Sequence, residues 1–283
     1  AALLRETGLD AAAITAIGAH GQTLRHEPDH EPPYTIQLQN PARLAELSGI
    51  DTIADFRSRD IAAGGQGAPL APLFQRGLLG LERGTIINIG GIANISLLTA
   101  QGSSGYDTGP GNGLMDGWIQ AHRDLPFDAD GDWARSGTLL PDLLARFLAD
   151  PYFHRPPPKS SGRDHFHHDW LNRHLLGIEA AADVQRTLLE LTARSISDAI
   201  FAQPTGGEII LAGGGAKNAF LVERINAHLA AHGYRCTPCP IPTQALEAAG
   251  FAWLAAQFTQ RCPLALAATT GGQPRILGAL YPA

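Results

Sequence analysis

One carboxylate, that of Asp107, lies in a glycine-rich stretch that reads Gly-Tyr-Asp-Thr-Gly-Pro-Gly-Asn-Gly-Leu-Met-Asp from residue 105 to residue 116. Glycine adopts backbone conformations that other residues avoid, and together with Pro110 it permits a tight chain that approaches a bound group closely. An aspartate held there can face the group to or from which a phosphate is transferred. The stretch predicts a loop built around a ligand, with Asp107 as its reactive side chain.

The residues upstream of this stretch predict a hairpin with a bare tip. Apolar residues 85–89 are typical of a buried strand and residues 95–98 of a returning strand, and between them lies Gly90-Gly91-Ile92-Ala93-Asn94. Main-chain N–H groups at a glycine tip can face an anion such as phosphate. An ordinary glycine turn and a capping aspartate would each give one of these two patterns. Because the two patterns lie close together in the sequence, we interpret them as parts of one site.

A second strand ends in glycine further along the chain. Residues 208–212 predict a buried strand, and Gly213-Gly214-Gly215 leads through Asn218 into a helix predicted over residues 219–232. This arrangement lets a nucleotide lie against bare backbone at the positive end of a helix dipole. The spacing matches neither G-x-G-x-x-G nor the Walker P-loop, so the sequence predicts neither a dinucleotide site nor a P-loop.

Polar residues follow two other predicted strands. His20-Gly21-Gln22-Thr23 ends a strand over residues 14–19, a position where ligands collect in open α/β sheets. Asp55-Phe56-Arg57 follows a strand over residues 51–54, and its alternating charges are typical of solvated ion pairs. The glycine-rich residues 64–69 that come next have no evident purpose in a plain surface loop.

Helices fill much of the remaining chain. Residues 183–201 predict the longest amphipathic helix, whose apolar stripe we interpret as facing a core. Residues 124–160 predict helical segments interrupted by proline. The last helix is predicted over residues 245–260 with Glu247 in its first turn, where a cap of the helix dipole and a ligand contact both remain open.

Composition narrows the class of partner. The chain has 283 residues, 44% of them hydrophobic and 17% charged, which is long enough for one large α/β domain or two domains. Its net charge of −6 offers no basic stripe for nucleic acid, so a small molecule is the expected partner. No signal peptide and no run of about 18 apolar residues is visible, which predicts a cytoplasmic protein with no membrane contact.

The cysteines and histidines predict no metal site. Cys236 and Cys239 form a C-x-x-C pair, but no second pair completes a zinc site, and we interpret the cysteines as incidental thiols. His154 and the group His165-x-His167-His168 invite a metal hypothesis. That group lacks the helical spacing and the partner carboxylate of zinc motifs, so we expect no metal bound by protein ligands.

The order of these elements predicts two lobes. Residues 83–262 hold both glycine-tipped strands and form one predicted lobe, and residues 1–82 with 263–283 form the other, with the active site in the cleft between them. The chain starts at Ala1 without an initiator methionine, in an apparent helix over residues 1–16. We therefore expect the first lobe to be incomplete at its N-terminus.

Eight motifs in order along the chain resemble the anhydro-N-acetylmuramic acid kinase family, and several of them are long and unusual. The motifs are His20-Gly21-Gln22-Thr23, Asp55-Phe56-Arg57, Ala63-Gly64-Gly65-Gln66-Gly67-Ala68-Pro69-Leu70, Asn88-Ile89-Gly90-Gly91-Ile92-Ala93-Asn94, Tyr106-Asp107-Thr108-Gly109-Pro110-Gly111-Asn112, Lys159-Ser160-Ser161-Gly162-Arg163, Gly213-Gly214-Gly215 with Asn218, and Glu247-Ala248 with Phe251-Ala252-Trp253-Leu254-Ala255.

The resemblance implies an α/β fold of the sugar kinase, Hsp70 and actin superfamily, that is, a two-lobed actin-like (RNase H-like) ATPase fold with a central cleft. It implies a reaction in which ATP and water convert 1,6-anhydro-N-acetylmuramic acid into N-acetylmuramic acid 6-phosphate during murein recycling. ATP is then the nucleotide, Mg²⁺ accompanies it, and a homodimer is the expected assembly.

The resemblance also implies roles for individual residues. Asp107 is the base that takes a proton from the attacking water. Thr23, Arg57 and Glu247 are sugar contacts, with Arg57 suited to pair with the lactyl carboxylate. Gly90, Gly91 and Asn94 face the phosphates. The adenosine side comprises Gly213, Gly214, Gly215 and Asn218.

Some features depart from the family pattern. A first hairpin of the type Gly-Thr-Ser-Leu-Asp-Gly, which holds the ATP phosphates, has its place before Ala1. Gln39 stands where the family usually has Gly, and Ile241-Pro242-Thr243-Gln244 replaces a turn that usually carries Gly and Asp. An alternative hypothesis is therefore a paralogue that binds sugar or nucleotide without catalysis.

Overall fold

A computed structural model describes residues 2–162 and 165–283, so Arg163 of the Lys159–Arg163 motif lies outside the described residues. The fold is mixed α/β, as the sequence predicts. The strands are β1 (Ile17–Gly18), β2 (Gln22–Glu27), β3 (Tyr34–Leu38), β4 (Thr52–Ala54), β5 (Gly84–Ile89), β6 (Ile92–Thr99), β7 (Gly102–Pro110), β8 (Glu208–Ala212), β9 (Cys236–Pro238) and β10 (Ala279–Tyr281).

Helices connect and cover these strands. They are α1 (Ala2–Thr7), α2 (Pro41–Ser48), α3 (Ser58–Ile61), α4 (Ala71–Leu79), α5 (Gly113–Arg123), α6 (Asp132–Ser136), α7 (Pro141–Leu148), α8 (Pro151–His154), α9 (His168–His174), α10 (Ala181–Ala202), α11 (Ala219–Ala230) and α12 (Thr243–Thr259). Short 3₁₀ turns lie at Ala11–Ala13, Ala129–Gly131 and Gly214–Lys217. No helix in the described ranges has the length and apolar composition needed to cross a membrane.

The chain forms two compact units. Unit 1 comprises Ala1–Glu82, Leu98–Ser104 and Gln244–Ala283, and unit 2 comprises Arg83–Leu97 and Gly105–Thr243. Their contents differ from the lobes predicted from the sequence mainly in residues 244–262, which group with unit 1. The reason is packing, because Phe251 and Leu254 of α12 belong to the apolar core of unit 1.

Unit 1 contains two small sheets. Strand β4 lies between β1, which is parallel to it, and β10, which is antiparallel. Strands β2 and β3 form a separate antiparallel pair. One buried apolar cluster includes Ile53 of β4, Phe56, Leu73 and Phe74 of α4, and the α12 residues described above. Helix α2 begins at Pro41 after the cap residue Asn40, whose side chain accepts the Arg43 N–H at 2.9 Å.

Unit 2 carries most of one larger sheet, with strand order β7-β6-β5-β8-β9. Strands β5 and β8 run parallel, as do β8 and β9. Helix α10 is the longest helix described, and the stripe predicted for it, which includes Val184, Leu188 and Ile200, is buried in the core of this unit. The prediction of this core-facing helix is confirmed.

Three local predictions need correction. Asp107 lies in strand β7 and not in a loop, because the backbone from Gly102 to Pro110 continues the sheet beside β6. The hairpin tip contains only Gly90 and Gly91, since β6 starts at Ile92, and Asn94 is therefore a strand residue. Helix α12 begins at Thr243, so Glu247 lies just beyond its first turn.

A buried carboxylate, Glu190, joins helices α10 and α11. It accepts hydrogen bonds from Arg186 (2.7 Å) on its own helix and from Arg224 (3.0 and 3.2 Å), and it pairs with His228 (2.7 Å) on α11. Burial alone would raise the pKa of Glu190, but the hydrogen bonds from Arg224 and Arg186 outweigh it and lower that pKa to about 2. The ionised carboxylate therefore helps to hold the two helices together.

We expect Glu190→Gln to lower the free energy of unfolding by about 2–4 kcal/mol at pH 7, because it leaves two arginines without their buried partner. The folded-state pKa lies below the ordinary 4.5, so the stabilisation is present above pH 4.5 and is lost as the pH falls towards 2. Urea unfolding at several pH values measures both effects.

The matched control is Asp198→Asn on the same helix. Asp198 pairs with Arg194 four residues before it, but the two side chains are 51% and 50% exposed. Such a surface pair contributes less than about 1 kcal/mol. An equal loss of stability in the two variants would contradict a special role for the buried carboxylate.

Candidate active site

The two glycine-rich elements predicted to share a site are hydrogen-bonded to each other in unit 2. The carbonyl oxygen of Gly90 accepts the Asn112 N–H at 2.8 Å. The carbonyl oxygen of Gly91 accepts the N–H groups of Gly111 and Gly113 at 3.0 and 3.1 Å. The hairpin tip is thus held against the end of β7 by main-chain bonds.

These bonds require a very short distance between the two backbones. A Cβ atom at Gly111 would overlap the carbonyl oxygen of Gly90, and one at Gly113 would lie 2.8 Å from the carbonyl oxygen of Gly91. Glycine at both positions is therefore needed for packing. The glycines that the sequence suggested as ligand contacts serve first to bring the strand that carries Asp107 against the tip.

Asp107 is held by helix α8 and by the segment that follows it. Its N–H donates to the carbonyl oxygen of Lys159 at 3.1 Å, and its carbonyl oxygen accepts the Tyr152 hydroxyl at 2.7 Å. Its Oδ2 accepts the Ser161 N–H at 2.9 Å. The backbone and one carboxylate oxygen are held, and Oδ1 accepts no hydrogen bond from any residue in the described ranges.

The electrostatics of Asp107 suit a base. The side chain is half-buried, and burial raises the pKa of its carboxyl, while the hydrogen bond from the Ser161 N–H opposes that rise. A carboxylate with a raised pKa takes a proton more readily than an exposed aspartate. The geometry leaves Oδ1 as the oxygen that can accept it.

The segment that holds Asp107 is itself anchored by charge. The ammonium group of Lys159 donates to the carbonyl oxygens of Tyr152 and Phe153 (3.2 and 3.4 Å) and lies 4.8 Å from the centre of the Tyr152 ring. Asp150 caps α8 by accepting the Tyr152 N–H at 2.8 Å. The Tyr152 side chain is 1% exposed, so its hydroxyl is fixed by packing as well.

The triple glycine follows β8 as predicted, but two of its glycines pack against the protein and one is open to solvent. A Cβ atom at Gly213 or Gly215 would collide with Ile89 at the end of β5, and Gly213 has a φ of 90°. Gly214 is exposed, and no described atom lies within 4 Å of where its Cβ would be. Asn218 caps α11, since its Oδ1 accepts the Leu221 N–H at 2.9 Å. Only Gly214 therefore offers open backbone.

In unit 1, Arg57 makes two directed hydrogen bonds. Its Nε donates to Nε2 of His20 at 3.0 Å, and its Nη1 donates to the carbonyl oxygen of Gly67 at 2.8 Å. The side chain is half-buried, and burial lowers the pKa of Arg57, while the charge of Glu247 opposes that fall. The alternating charges of residues 55–60 form no salt bridge within 4 Å in the described ranges, so the ion-pair interpretation of this segment is wrong.

The loop that receives Arg57 is organised by Asp60, which is fully buried. Oδ2 of Asp60 accepts the Gly67 N–H at 2.7 Å, while Cβ atoms at Gly65 and Gly272 would overlap its carboxylate. This packing explains Gly65, and Gly67 is required by its φ of 68° and by Ile61, which its Cβ would strike. Gly67 is therefore held on both sides: its N–H donates to Asp60, and its carbonyl oxygen accepts from Arg57.

The three predicted sugar contacts all lie in unit 1. Glu247 is close enough to Arg57 and His20 to influence the pKa of both, although it forms no salt bridge within 4 Å with a described residue. The Thr23 hydroxyl accepts a hydrogen bond from Gln37 across the β2–β3 pair, at 3.4 Å. The structure therefore brings Arg57 and Glu247 together, and it shows no contact between Thr23 and either of them.

Sequence reasoning missed four residues that hold the candidates in place: Tyr152, Ser161, Asp60 and His20. Tyr152 carried no signal, because a tyrosine in a helical segment is ordinary. Ser161 lies in a recognised motif, but the motif did not show that its N–H donates to Asp107, which is distant in the sequence. His20 lies in the recognised motif that begins with it, and Asp60 lies just before the glycine-rich residues 64–69, so both positions carried a usable signal.

The histidine-rich segment has structural functions. His165 pairs with Asp150 at 3.2 Å, and His167 caps α9 by accepting the Asp169 N–H at 3.1 Å. Within the described part of the chain, no three His, Cys, Asp or Glu side chains are placed to share a metal ion. Cys236 is buried, and burial raises the pKa of its thiol to about 11, which leaves it unreactive.

Comparison with known proteins decides the family. A family model described as "Anhydro-N-acetylmuramic acid kinase" matches residues 1–283. The chain belongs to the anhydro-N-acetylmuramic acid kinase family. The resemblance seen in the sequence is thereby confirmed.

Members of the anhydro-N-acetylmuramic acid kinase family in three bacteria are similar over nearly the whole chain. A protein of that name from Pseudomonas paraeruginosa is 51% identical, with 99% of this chain and 79% of that protein covered. Those from Chromobacterium violaceum and Xanthomonas axonopodis pv. citri are 50% and 47% identical, with 99% of this chain and 78% and 77% of those proteins covered.

Solved structures of other families are similar only in part. Xylulose kinase from Rhodospirillum rubrum has a TM-score of 0.46 and 14% identity, over 76% of this chain and 45% of that one. The activator of 2-hydroxyisocaproyl-CoA dehydratase from Clostridium difficile has a TM-score of 0.43 and 15% identity, over 74% of this chain and 69% of that one.

For this member of the anhydro-N-acetylmuramic acid kinase family, we expect Gly111→Ala to lower stability by about 1–3 kcal/mol, since the new methyl group must displace the Gly90 carbonyl. Turnover should fall with it, because the end of β7 moves. Gly117→Ala in α5 is the control, as no described atom lies within 4 Å of its Cβ position. Alanine should raise stability there by about 0.5–1 kcal/mol. Thermal unfolding would refute the account if Gly111→Ala melted like the parent.

Proposed function

We propose that this protein is a kinase that opens 1,6-anhydro-N-acetylmuramic acid with water and transfers the γ-phosphoryl group of ATP to O6, giving N-acetylmuramic acid 6-phosphate for murein recycling. One observation carries the proposal beyond family membership. The carboxylate of Asp107 is held through Oδ2 by the Ser161 N–H, its pKa is raised by burial, and its Oδ1 is left without a partner in the described ranges.

The proposed reaction makes and breaks bonds in balance. Oδ1 of Asp107 accepts a proton from water as the water oxygen bonds to C1 of the anhydro sugar. The bond between C1 and O6 breaks, and its electron pair stays on O6. O6 then bonds to the γ-phosphorus of ATP, and ADP leaves with the electron pair of the broken phosphoanhydride bond. Placement and charge stabilisation are the remaining tasks of the protein.

The sugar side of the proposal rests on unit 1. Arg57 would pair with the lactyl carboxylate, for which a charged, planar donor is well suited. Glu247 lies near it on α12 and would accept a hydrogen bond from the sugar, since an exposed carboxylate is a strong acceptor. Thr23, in the β2–β3 pair, is proposed as a third contact through its O–H donor, since its hydroxyl oxygen already accepts from Gln37.

The nucleotide side rests on unit 2. We infer that Gly91 and Asn94 face the ATP phosphates, with Gly90 beside them. The main-chain N–H of Gly91 and the side-chain amide of Asn94 form no hydrogen bond with a described residue, so both are free to donate to a phosphate. Gly214 is the inferred contact of the adenosine among the three glycines, and Asn218 supports it by capping α11. Mg²⁺ would arrive with ATP and keep most of its water, since it needs few protein ligands. A cytoplasmic homodimer stays a prediction.

We expect Asp107→Asn to lower kcat by about 10²–10⁴-fold, the usual contribution of a general base. Asparagine keeps an oxygen for the Ser161 N–H, so the melting temperature and the affinity for the sugar should change little. In the parent protein, kcat should fall as the pH decreases through the raised pKa of Asp107, above its ordinary 3.8. Coupled ADP release with the anhydro sugar measures both, and full turnover of the variant would exclude Asp107 as the base.

We expect Gly214→Ala to raise the KM for ATP several-fold while leaving stability unchanged, because its methyl group enters open space on the nucleotide side. Gly213→Ala is the matched comparison one residue away. It should destabilise the protein, since its φ is 90° and its Cβ would strike Ile89. An unchanged KM for ATP in a stable Gly214→Ala variant would remove Gly214 from the nucleotide site.

A further inference from the structure

His20 lies between the guanidinium group of Arg57 and the ring of Phe251. Its Nε2 receives the Arg57 Nε–H at 3.0 Å, and its Nδ1 lies 2.8 Å from the carbonyl oxygen of Gly21. Its ring stacks on Phe251 with 4.4 Å between centres and 27° between planes. Every polar atom and one face of this imidazole are therefore engaged.

These contacts determine the protonation of His20. Arginine can only donate, so Nε2 must be the acceptor, and the single ring proton is on Nδ1, where it is donated to Gly21. Burial and the charge of Arg57 both lower the pKa of His20, which agrees with a neutral ring. With both nitrogens occupied, His20 has no lone pair or proton to exchange with a substrate, so a role as catalytic acid or base does not fit.

The same contacts determine which part of Arg57 is available. A guanidinium group is planar, so the bonds from Nε to His20 and from Nη1 to Gly67 fix both its position and its plane. Nη2 donates to no residue in the described ranges. The remaining N–H groups lie at the Nη end of the fork, the end that a ligand carboxylate can approach.

We propose that His20 is a positioning residue that turns the free Nη end of Arg57 towards the carboxylate of the substrate, and that it thereby selects anhydro sugars that carry a carboxylate. This inference rests on the proposed function and on the assignment of Arg57 within it. The groups facing His20 and Arg57 are Glu247 and Phe251 from α12 and the half-buried His26 from β2. Glu247 forms no salt bridge with Arg57, so the guanidinium charge stays available to a ligand.

Two substitutions separate the hydrogen bond of His20 from its stacking. His20→Phe keeps an aromatic ring against Phe251 and removes the acceptor for Arg57. His20→Gln removes the ring and keeps an acceptor at about the same distance along the side chain. His26→Gln is the control, because His26 bonds to Thr35 at 3.1 Å and has no hydrogen bond to Arg57.

The measurement is calorimetric affinity for two probes, 1,6-anhydro-N-acetylmuramic acid and 1,6-anhydro-N-acetylglucosamine, which lacks the lactyl carboxylate. We expect the parent and His26→Gln to prefer the carboxylate sugar by at least about tenfold, the worth of a charge-assisted hydrogen bond. His20→Phe and Arg57→Ala should lose most of that preference, and His20→Gln should keep it to within about threefold. Melting temperatures confirm that each variant is folded.

The outcomes distinguish the proposed role of His20 from the proposed function of the protein. A folded His20→Phe variant that keeps the full preference while Arg57→Ala loses it would overturn the role of His20 and leave the proposed function intact. If His20→Gln lost the preference as fully as His20→Phe, an acceptor for Arg57 would not be what maintains the preference, and the role of His20 would again be overturned with the proposed function intact. No binding of either sugar by the parent would overturn the proposed function and this inference together.

Discussion

The structure of unit 2 around Asp107 depends on a contact between two backbones. Three N–H groups, of residues 111–113, donate to the carbonyl oxygens of Gly90 and Gly91, and this close approach requires glycine at positions 111 and 113, where a Cβ atom would strike those carbonyls. The contact fixes the end of β7 relative to the tip between β5 and β6. Asp107, Gly91 and Asn94 lie on those strands and that tip, so their relative positions follow from main-chain bonds, which are stiffer than contacts between flexible side chains.

The position of Asp107 combines this frame with a second support. Helix α8 contacts the aspartate through Tyr152, and the segment after it does so through Lys159 and Ser161. Each of these contacts uses a main-chain group on at least one side. Half-burial raises the pKa of the carboxyl and so favours its protonated form. Because the pKa is raised in the folded protein, ionisation of this carboxyl lowers the stability of the fold.

Sequence reasoning identified most of the regular elements and the candidate residues. Strand β8 and the cap of α2 were predictable because apolar runs and capping side chains act locally. The need for glycine at position 213 could not be predicted, because Ile89, the residue that its Cβ would strike, lies far from it in the sequence. The bond between His20 and Arg57 joins the ends of two parallel strands, so it could be recognised only once β1 and β4 were known to be neighbours.

The orientation of Arg57 can be traced back to the packing of one helix. Helix α12 lies tight against β1 and α4, since a Cβ at Gly18 would overlap the Phe251 backbone and one at Gly77 the Trp253 ring. That distance places the Phe251 ring under His20, two residues beyond Gly18. The same helix carries Glu247 one turn before Phe251. A shift of α12 would therefore change the stacking of His20 and the charge beside Arg57 together, which makes this helix the common support of the side chains around Arg57.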